Sequence, residues 1–201
     1  MTLRALALCC TLKSSPGESS SELLAREVLA ELANHDVDGE VVRVIDHGVK
    51  FGVTIDEGDG DGWPAIRAKL MESQILLVAT PIWLGQPSSV CKMVLERLDG
   101  ELSEKDAQGR LPTYGKVGAV AVVGNEDGAH HVASEVLQAL NEVGFTVAAS
   151  AATYWVGEAL GGVDYKDAGP KPDTTGRMTR NVAANAAHLA HLLAKNPYPA
   201  A

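Results

Sequence analysis

Five short apolar runs recur along the chain: Leu3 to Cys10, Glu40 to Ile45, Gln74 to Thr80, Lys116 to Gly124 and Phe145 to Ala152. They are dominated by Val, Ile, Leu and Ala and do not alternate cleanly with polar residues, as in strands covered on both faces. Between them, apolar positions return at three- and four-residue spacing: Leu24, Val28 and Leu32; Val90, Val94 and Leu98; Ala133, Val136, Leu137 and Leu140; and Val182, Ala186, Leu189 and Leu193. That spacing predicts helices, and a weaker helix starts near Trp63-Pro64. The order βαβαβαβαβα predicts an α/β fold with a doubly wound, five-stranded parallel sheet, order 2-1-3-4-5, and helices on both faces. Such sheets bind ligands at the carboxyl ends of their strands, at the switch point beside strands one and three. Function is therefore expected just after Cys10, Thr80 and Gly124. Three long polar stretches, 46–62, 100–115 and 157–176, are left as lids, interfaces or disordered loops.

A length of 201 residues predicts a single domain over 1–201. The formal net charge of −9 repels phosphate backbones and anionic lipid, so neither nucleic acid nor a membrane surface is an expected partner. Aromatic residues make up only 4%, which argues against a base-stacking surface. The three cysteines, Cys9, Cys10 and Cys91, are an odd number with two adjacent and make no disulfide framework, so a cytoplasmic setting is expected. The opening MTLRALALCCTL mimics a signal peptide, but no small-x-small site follows before the polar run KSSPGESSS; a buried first strand is the better reading.

The loop after strand one concentrates donors. Thr11, Ser14, Ser15, Ser19, Ser20 and Ser21 surround Lys13 at the start of a helix, whose free N–H groups favour a phosphate. Helix capping alone is the plainer reading, since Ser19 with Glu22 makes a capping box, but it does not account for so many hydroxyls. Other phosphate motifs fail on spacing. Gly115-Lys116 is followed by Val117, and position 110 is Arg110, so no Walker loop exists; no G-x-G-x-x-G follows strand one; and the positions six beyond Cys9 and Cys10 are Ser15 and Pro16 rather than Arg. After strand three, Pro81, Gly85 and Pro87 predict an irregular turn carrying Trp83, with unpaired backbone groups facing the cleft. After strand four, Gly124 and Gly128 let the chain pass close to a ligand, while Asn125, Glu126 and Asp127 cap the next helix. His130 and His131 are adjacent on a helix and cannot easily share a metal, and His188 and His191 are read as a solvated face; no metal site is expected.

Taken together, these three loops resemble the flavodoxin-like NAD(P)H-dependent FMN reductase family. Its strand-one loop, Thr or Ser, then x, then Lys or Arg, followed by Ser or Asn residues, is matched by Thr11, Lys13, Ser19, Ser20 and Ser21, which the resemblance assigns to the FMN phosphate. Thr80, Pro81, Ile82, Trp83, Leu84 and Gly85 match the element that contacts the isoalloxazine, and Gly124, Asn125, Glu126, Asp127 and Gly128 match the loop lining the ring's other side. Two departures stand out: strand one ends in Cys10-Thr11 where the family commonly has Gly-Ser, and Pro16-Gly17-Glu18 lengthens the spacer.

The resemblance implies an FMN-dependent oxidoreductase that takes hydride from NADH or NADPH and passes electrons to a flavin, quinone or similar acceptor by ping-pong exchange. No residue is assigned as catalytic, because flavin N5 carries the chemistry. Glu126 and Asp127, if near the ring, would disfavour an anionic reduced flavin. A homodimer or dimer of dimers is expected to cover Tyr154, Trp155 and Tyr165. An electron carrier docking on protein partners, or an interaction domain without cofactor, are the alternatives.

Overall fold

The computed structural model describes residues 2–200, so both ends of the unit expected over 1–201 lie outside the described residues. The elements in chain order are β1 (Leu3–Cys9), α1 (Ser20–Ala33), β2 (Val37–Arg43), α2 (Trp63–Glu72), β3 (Ile75–Trp83), β4 (Gln86–Pro87), α3 (Ser89–Asp99), β5 (Val117–Gly124), α4 (Ala129–Glu142), β6 (Thr146–Val156) and α5 (Asp173–Lys195). The sheet runs β2-β1-β3-β5-β6 with every neighbour parallel, and β4 folds back antiparallel on β3. Leaving β4 aside, this is the 2-1-3-4-5 order that the alternation predicts.

Period-two alternation divides each strand between two cores. Leu6, Leu8, Leu76, Val78, Val120 and Val122 pack against α2, α3 and α4. The other face is rich in alanine (Ala5, Ala7, Ala79, Ala119 and Ala121), and it receives the equally small Ala25, Ala183, Ala186, Ala187 and Ala190 of α1 and α5. Small side chains on both sides let these two helices lie close to the sheet.

Both edge strands differ from their sequence-predicted bounds. The second strand is Val37–Arg43 rather than 40–45, because all seven residues pair with β1, and Val44–His47 turns away as a 3-10 helix. At a sheet edge, exposed Asp38 and Glu40 cost little, so polarity hid the strand's start. The last strand runs on to Val156 through a bulge: Gly118 pairs with Val147 and Val120 with Ala152, so one residue of β5 spans four of β6. Ser150 in the bulge adopts φ 56°.

What positions the site is the difference in strand length. β1 stops pairing with β3 at Cys9↔Ala79, whereas β3 and β5 continue together to Pro81↔Val123. The chain after β1 enters α1 on one face, and the chain after β3 enters α3 on the other. A crevice opens between them.

Candidate active site

The crevice is a cleft at the carboxyl ends of β1, β3 and β5. Ten of the fifteen sequence-predicted positions line it: Thr11, Lys13, Ser19, Ser20 and Ser21 from the first loop, Pro81, Ile82 and Trp83 from the second, and Gly124 and Asn125 from the third. Leu84, Gly85, Glu126, Asp127 and Gly128 stand outside the lining. Leu12, Val123, Trp155, Asp164 and Tyr165 complete it without having been anticipated there.

The first loop is held by groups that sequence reasoning passed over. Arg43, at the end of β2, donates to the carbonyls of Gly17 (2.7 Å) and Lys13 (3.3 Å) and to the Glu22 carboxylate (2.9 Å). Asp46 accepts the N–H (3.0 Å) and O–H of Ser15. The expected capping box forms by half. Ser19 Oγ accepts the Glu22 N–H at 3.3 Å, but the Glu22 carboxylate serves Arg43 and Arg26 instead of reaching back. Burial alone would raise that carboxyl, yet the hydrogen bonds from Arg43 and Arg26 outweigh it and hold its pKa below the usual range. A lone Arg closing an otherwise aliphatic strand end was the available signal.

The three serines are not equivalent. Ser19 Oγ caps α1, Ser21 Oγ is buried 3.1 Å from Ser19 Oγ and 3.8 Å from Cys9 Sγ, and Ser20 Oγ accepts the Lys166 N–H at 3.3 Å. The Ser20 O–H and the Ser20 and Ser21 amides have no acceptor among the described residues. Burial pushes the Cys9 thiol up, and for Cys10 contact with Cys91 and then burial push it well above its ordinary range. Both thiols are packing groups.

The second loop is not the irregular turn that its prolines predicted. Pro81 lies beyond the β1 pairing, where its missing N–H breaks no ladder bond with that strand, so β3 continues to Trp83 and returns as β4. Leu84 (φ 54°) and Gly85 (φ 73°) form the two-residue turn, both left-handed as tight hairpins require. Ser88 fastens this unit to the site. It caps α3 by accepting the Cys91 N–H (3.1 Å), its O–H donates to the Cys10 carbonyl (2.6 Å), and its N–H donates to Thr80 Oγ1 (3.1 Å).

The third loop ties its neighbours together; Asn125, Glu126 and Asp127 do not cap α4, whose N-cap is Gly128 with no side-chain bond. The Glu126 carboxylate accepts the Leu84 N–H at 2.9 Å, and Asp127 accepts the Gly128 N–H at 2.7 Å. Asn125 donates to the Gly161 carbonyl at 2.7 Å and accepts the Leu160 N–H on its own carbonyl at 2.9 Å. At Gly128 (φ 124°) a Cβ would meet the Gly85 backbone at 2.9 Å, so the two loops touch through glycine.

The aromatics proposed for a subunit contact are covered by their own chain. Trp155 and Tyr165 are 7% and 1% exposed, with ring centroids 5.4 Å apart, and Tyr154 pairs with His130 at 3.0 Å. Trp83, at 54% exposed, remains open at the cleft.

The family model for NADPH-dependent FMN reductase matches residues 3–159, from the first strand to just past the last. The chain belongs to that family. An NADPH-dependent FMN reductase is an oxidoreductase whose cofactors are FMN and NADPH. Among relatives of this family member, 8-demethyl-8-aminoriboflavin-5'-phosphate synthase of Streptomyces davaonensis is 37% identical over 210 residues, which cover 98% of this chain and 81% of that protein. The crystal structure of RosB with bound 8-demethyl-8-formylriboflavin-5'-phosphate superposes with a TM-score of 0.88 at 36% identity, covering 98% of this chain and 82% of that one. Divalent metal cation transporter MntH of Mycobacterium bovis is 37% identical over 198 residues, 95% of this chain but only 29% of that longer protein. No helix among the described residues of this FMN reductase family member is long and apolar enough to cross a membrane.

Proposed function

We propose that the whole chain works as one FMN-binding domain, which takes hydride from NAD(P)H and hands electrons to a flavin, quinone or similar flat acceptor over one open flavin face. The observation that carries this reading is the donor set at one end of the cleft. The unsatisfied Ser20 and Ser21 amides at the N-terminus of a fourteen-residue helix, the Ser20 O–H, Thr11 and Lys13 converge where a phosphate dianion is favoured. Of the three serine hydroxyls, Ser20 is the one free to donate outward. Pro81, Ile82, Trp83 and Val123 give the rest of the cleft an apolar lining suited to a ring system.

FMN, when bound, supplies hydride acceptance and electron transfer at its ring. The chain's own work is to bind and orient. The first loop, held by Arg43 and Asp46, would hold the phosphate; Pro81, Ile82 and the strand end at Gly124 and Asn125 would hold the ring; and Trp83, half-exposed, would flank the space left for nicotinamide and acceptor. Glu126 is engaged by the hairpin amide, and Leu84, Gly85, Asp127 and Gly128 support the ring-binding walls from behind. A proton-transfer group is not needed for stacking of this kind.

The relative named as 8-demethyl-8-aminoriboflavin-5'-phosphate synthase, and the RosB structure with its bound 8-demethyl-8-formylriboflavin-5'-phosphate intermediate, favour a second reading, in which a flavin phosphate occupies the same cleft as a substrate. Both readings use the same phosphate end. A homodimer or dimer of dimers also belongs to the proposal, with its support now in Leu84 and Leu160, 91% and 95% exposed on segments tied to the third loop. Three free cysteines are in keeping with a cytoplasmic setting.

Lys13→Glu tests the core of the proposal. It should weaken FMN far more than riboflavin, which lacks the phosphate; equal loss of both ligands refutes the phosphate assignment. Initial rates at several fixed NADPH concentrations test the single face: parallel double-reciprocal lines are expected, and intersecting lines mean that both substrates bind together.

A further inference from the structure

Residues 160–172 lie beyond the family match, yet they form one wall of the cleft. This strap is anchored on both sides of Asp164. Tyr165 is buried, donates its O–H to the Glu27 carboxylate of α1, and lies under Lys171, whose Nζ is 3.9 Å from the ring centroid and 2.6 Å from Glu27. The Lys166 N–H bonds Ser20 at the start of α1. The Asp164 carbonyl accepts the N–H groups of Asp167 and Ala168, both at 2.9 Å. The backbone at Asp164 is therefore fixed, and its side chain lines the cleft.

That side chain is half-buried, and its carboxylate has no hydrogen bond or ion pair among the described residues. A carboxylate only accepts, and one drawn partly out of water without a donor is left uncompensated. A ligand that displaces water from the cleft has to bring the donor. Next to the phosphate end, a second anion is repelled, so the group facing Asp164 is uncharged or positive. In a flavin phosphate, the part adjoining the phosphate is a polyol chain whose hydroxyls are donors.

We propose that Asp164 is a specificity-determining residue that accepts a hydrogen bond from a hydroxyl of the flavin's ribityl chain. This inference rests on the FMN reading of the cleft. It gives the strap, a segment the family model does not include, a role in choosing among flavins.

Fluorescence titration of the full chain with FMN, riboflavin and lumiflavin separates the possibilities, since lumiflavin keeps the ring and lacks the ribityl chain. Asp164→Leu should weaken FMN and riboflavin about ten-fold or more and leave lumiflavin within two-fold, the size expected for a hydrogen bond to a charged group. Asp164→Asn, which keeps an accepting oxygen without the charge, should fall between, and both variants should melt with the wild type. An equal loss for all three ligands, or no loss for any, overturns the proposal. So does a gain for FMN with riboflavin unchanged, which would make the carboxylate a mere repeller of phosphate. Failure of the wild type to bind FMN would appear before any variant is made, and it would fell the functional reading itself.

Discussion

Asp61→Asn should destabilise the protein by about 3–5 kcal/mol while sparing the cleft. Asp61 and Arg97 are both fully buried and 2.8 Å apart, fastening the 48–62 loop to α3. One carboxylate oxygen accepts the Lys50 and Trp63 amides, each at 3.1 Å, and the other accepts the Glu57 amide at 2.9 Å together with Arg97. An asparagine has a single oxygen, so whichever way it turns, its NH₂ faces two donors. Arg97 loses its charge partner in either orientation, keeping the Lys50 carbonyl (3.1 Å), and a buried charge stripped of its partner costs about 3–5 kcal/mol. For a chain of this length that is a melting temperature lower by roughly 10 °C. The acid limb gives an independent check. Burial alone would raise the Asp61 carboxyl, but the amides of Glu57, Trp63 and Lys50 and the Arg97 guanidinium bring its pKa down from 3.8 to about 2. Because the folded-state value is depressed, the stabilisation, about 2 kcal/mol, is present above pH 3.8 and is lost as the pH falls through 2. Urea melts of wild type and variant at pH 7, 4, 3 and 2 measure both effects. A loss below about 1 kcal/mol at pH 7, or parallel stability curves between pH 4 and 2, would refute the reasoning.

Ser88→Ala removes the α3 cap and orphans the Cys10 carbonyl, so it should cost about 1–2 kcal/mol in urea melts and weaken FMN in a fluorescence titration, because the ends of β1 and β3 lose their shared fastening. Gly128→Ala puts a Cβ against the Gly85 backbone at 2.9 Å; the hairpin must move, and a shift in Trp83 solvent exposure, read by acrylamide quenching, should accompany it. Quenching unchanged from wild type would mean that the third loop gives way and the hairpin does not.

The fold was legible because both-face burial writes strands as unbroken aliphatic runs, and β1, β3 and β5 are of this kind. Its edges were harder to read. β2 begins in the polar Val37-Asp38-Gly39, and β6 carries a bulge and the polar-aromatic Thr153 and Tyr154 past the point where the aliphatic run ends. At the cleft, residues that follow a strand end directly could be located from strand order alone. Arg43 and Ser88 could not, since each acts across a tertiary contact: Arg43 reaches back 26 residues to Gly17, and Ser88 reaches 78 residues to Cys10; Asp164 could not, because the strap that carries it reaches the cleft only by docking on α1. Trp155 and Tyr165 were noticed for the right reason, that large aromatics need cover. Their cover is each other and the chain around them.

The bonds from the third loop to the hairpin and to the strap have a mechanical consequence. Leu84 to Glu126, Gly85 against Gly128, Asn125 to Gly161 and Leu160 to Asn125 join three segments, distant in sequence, into a single lip. A fluctuation that lifts one part of this lip strains the others, so local opening there is cooperative and correspondingly rare. The wall formed by the first loop is held by Arg43 and Asp46, and the strap joins it through Lys166, which meets Ser20 and Glu18. Traffic into the cleft is therefore gated by a linked rim, and hydrogen exchange in residues 124–128 should rise and fall with that of the hairpin and the strap.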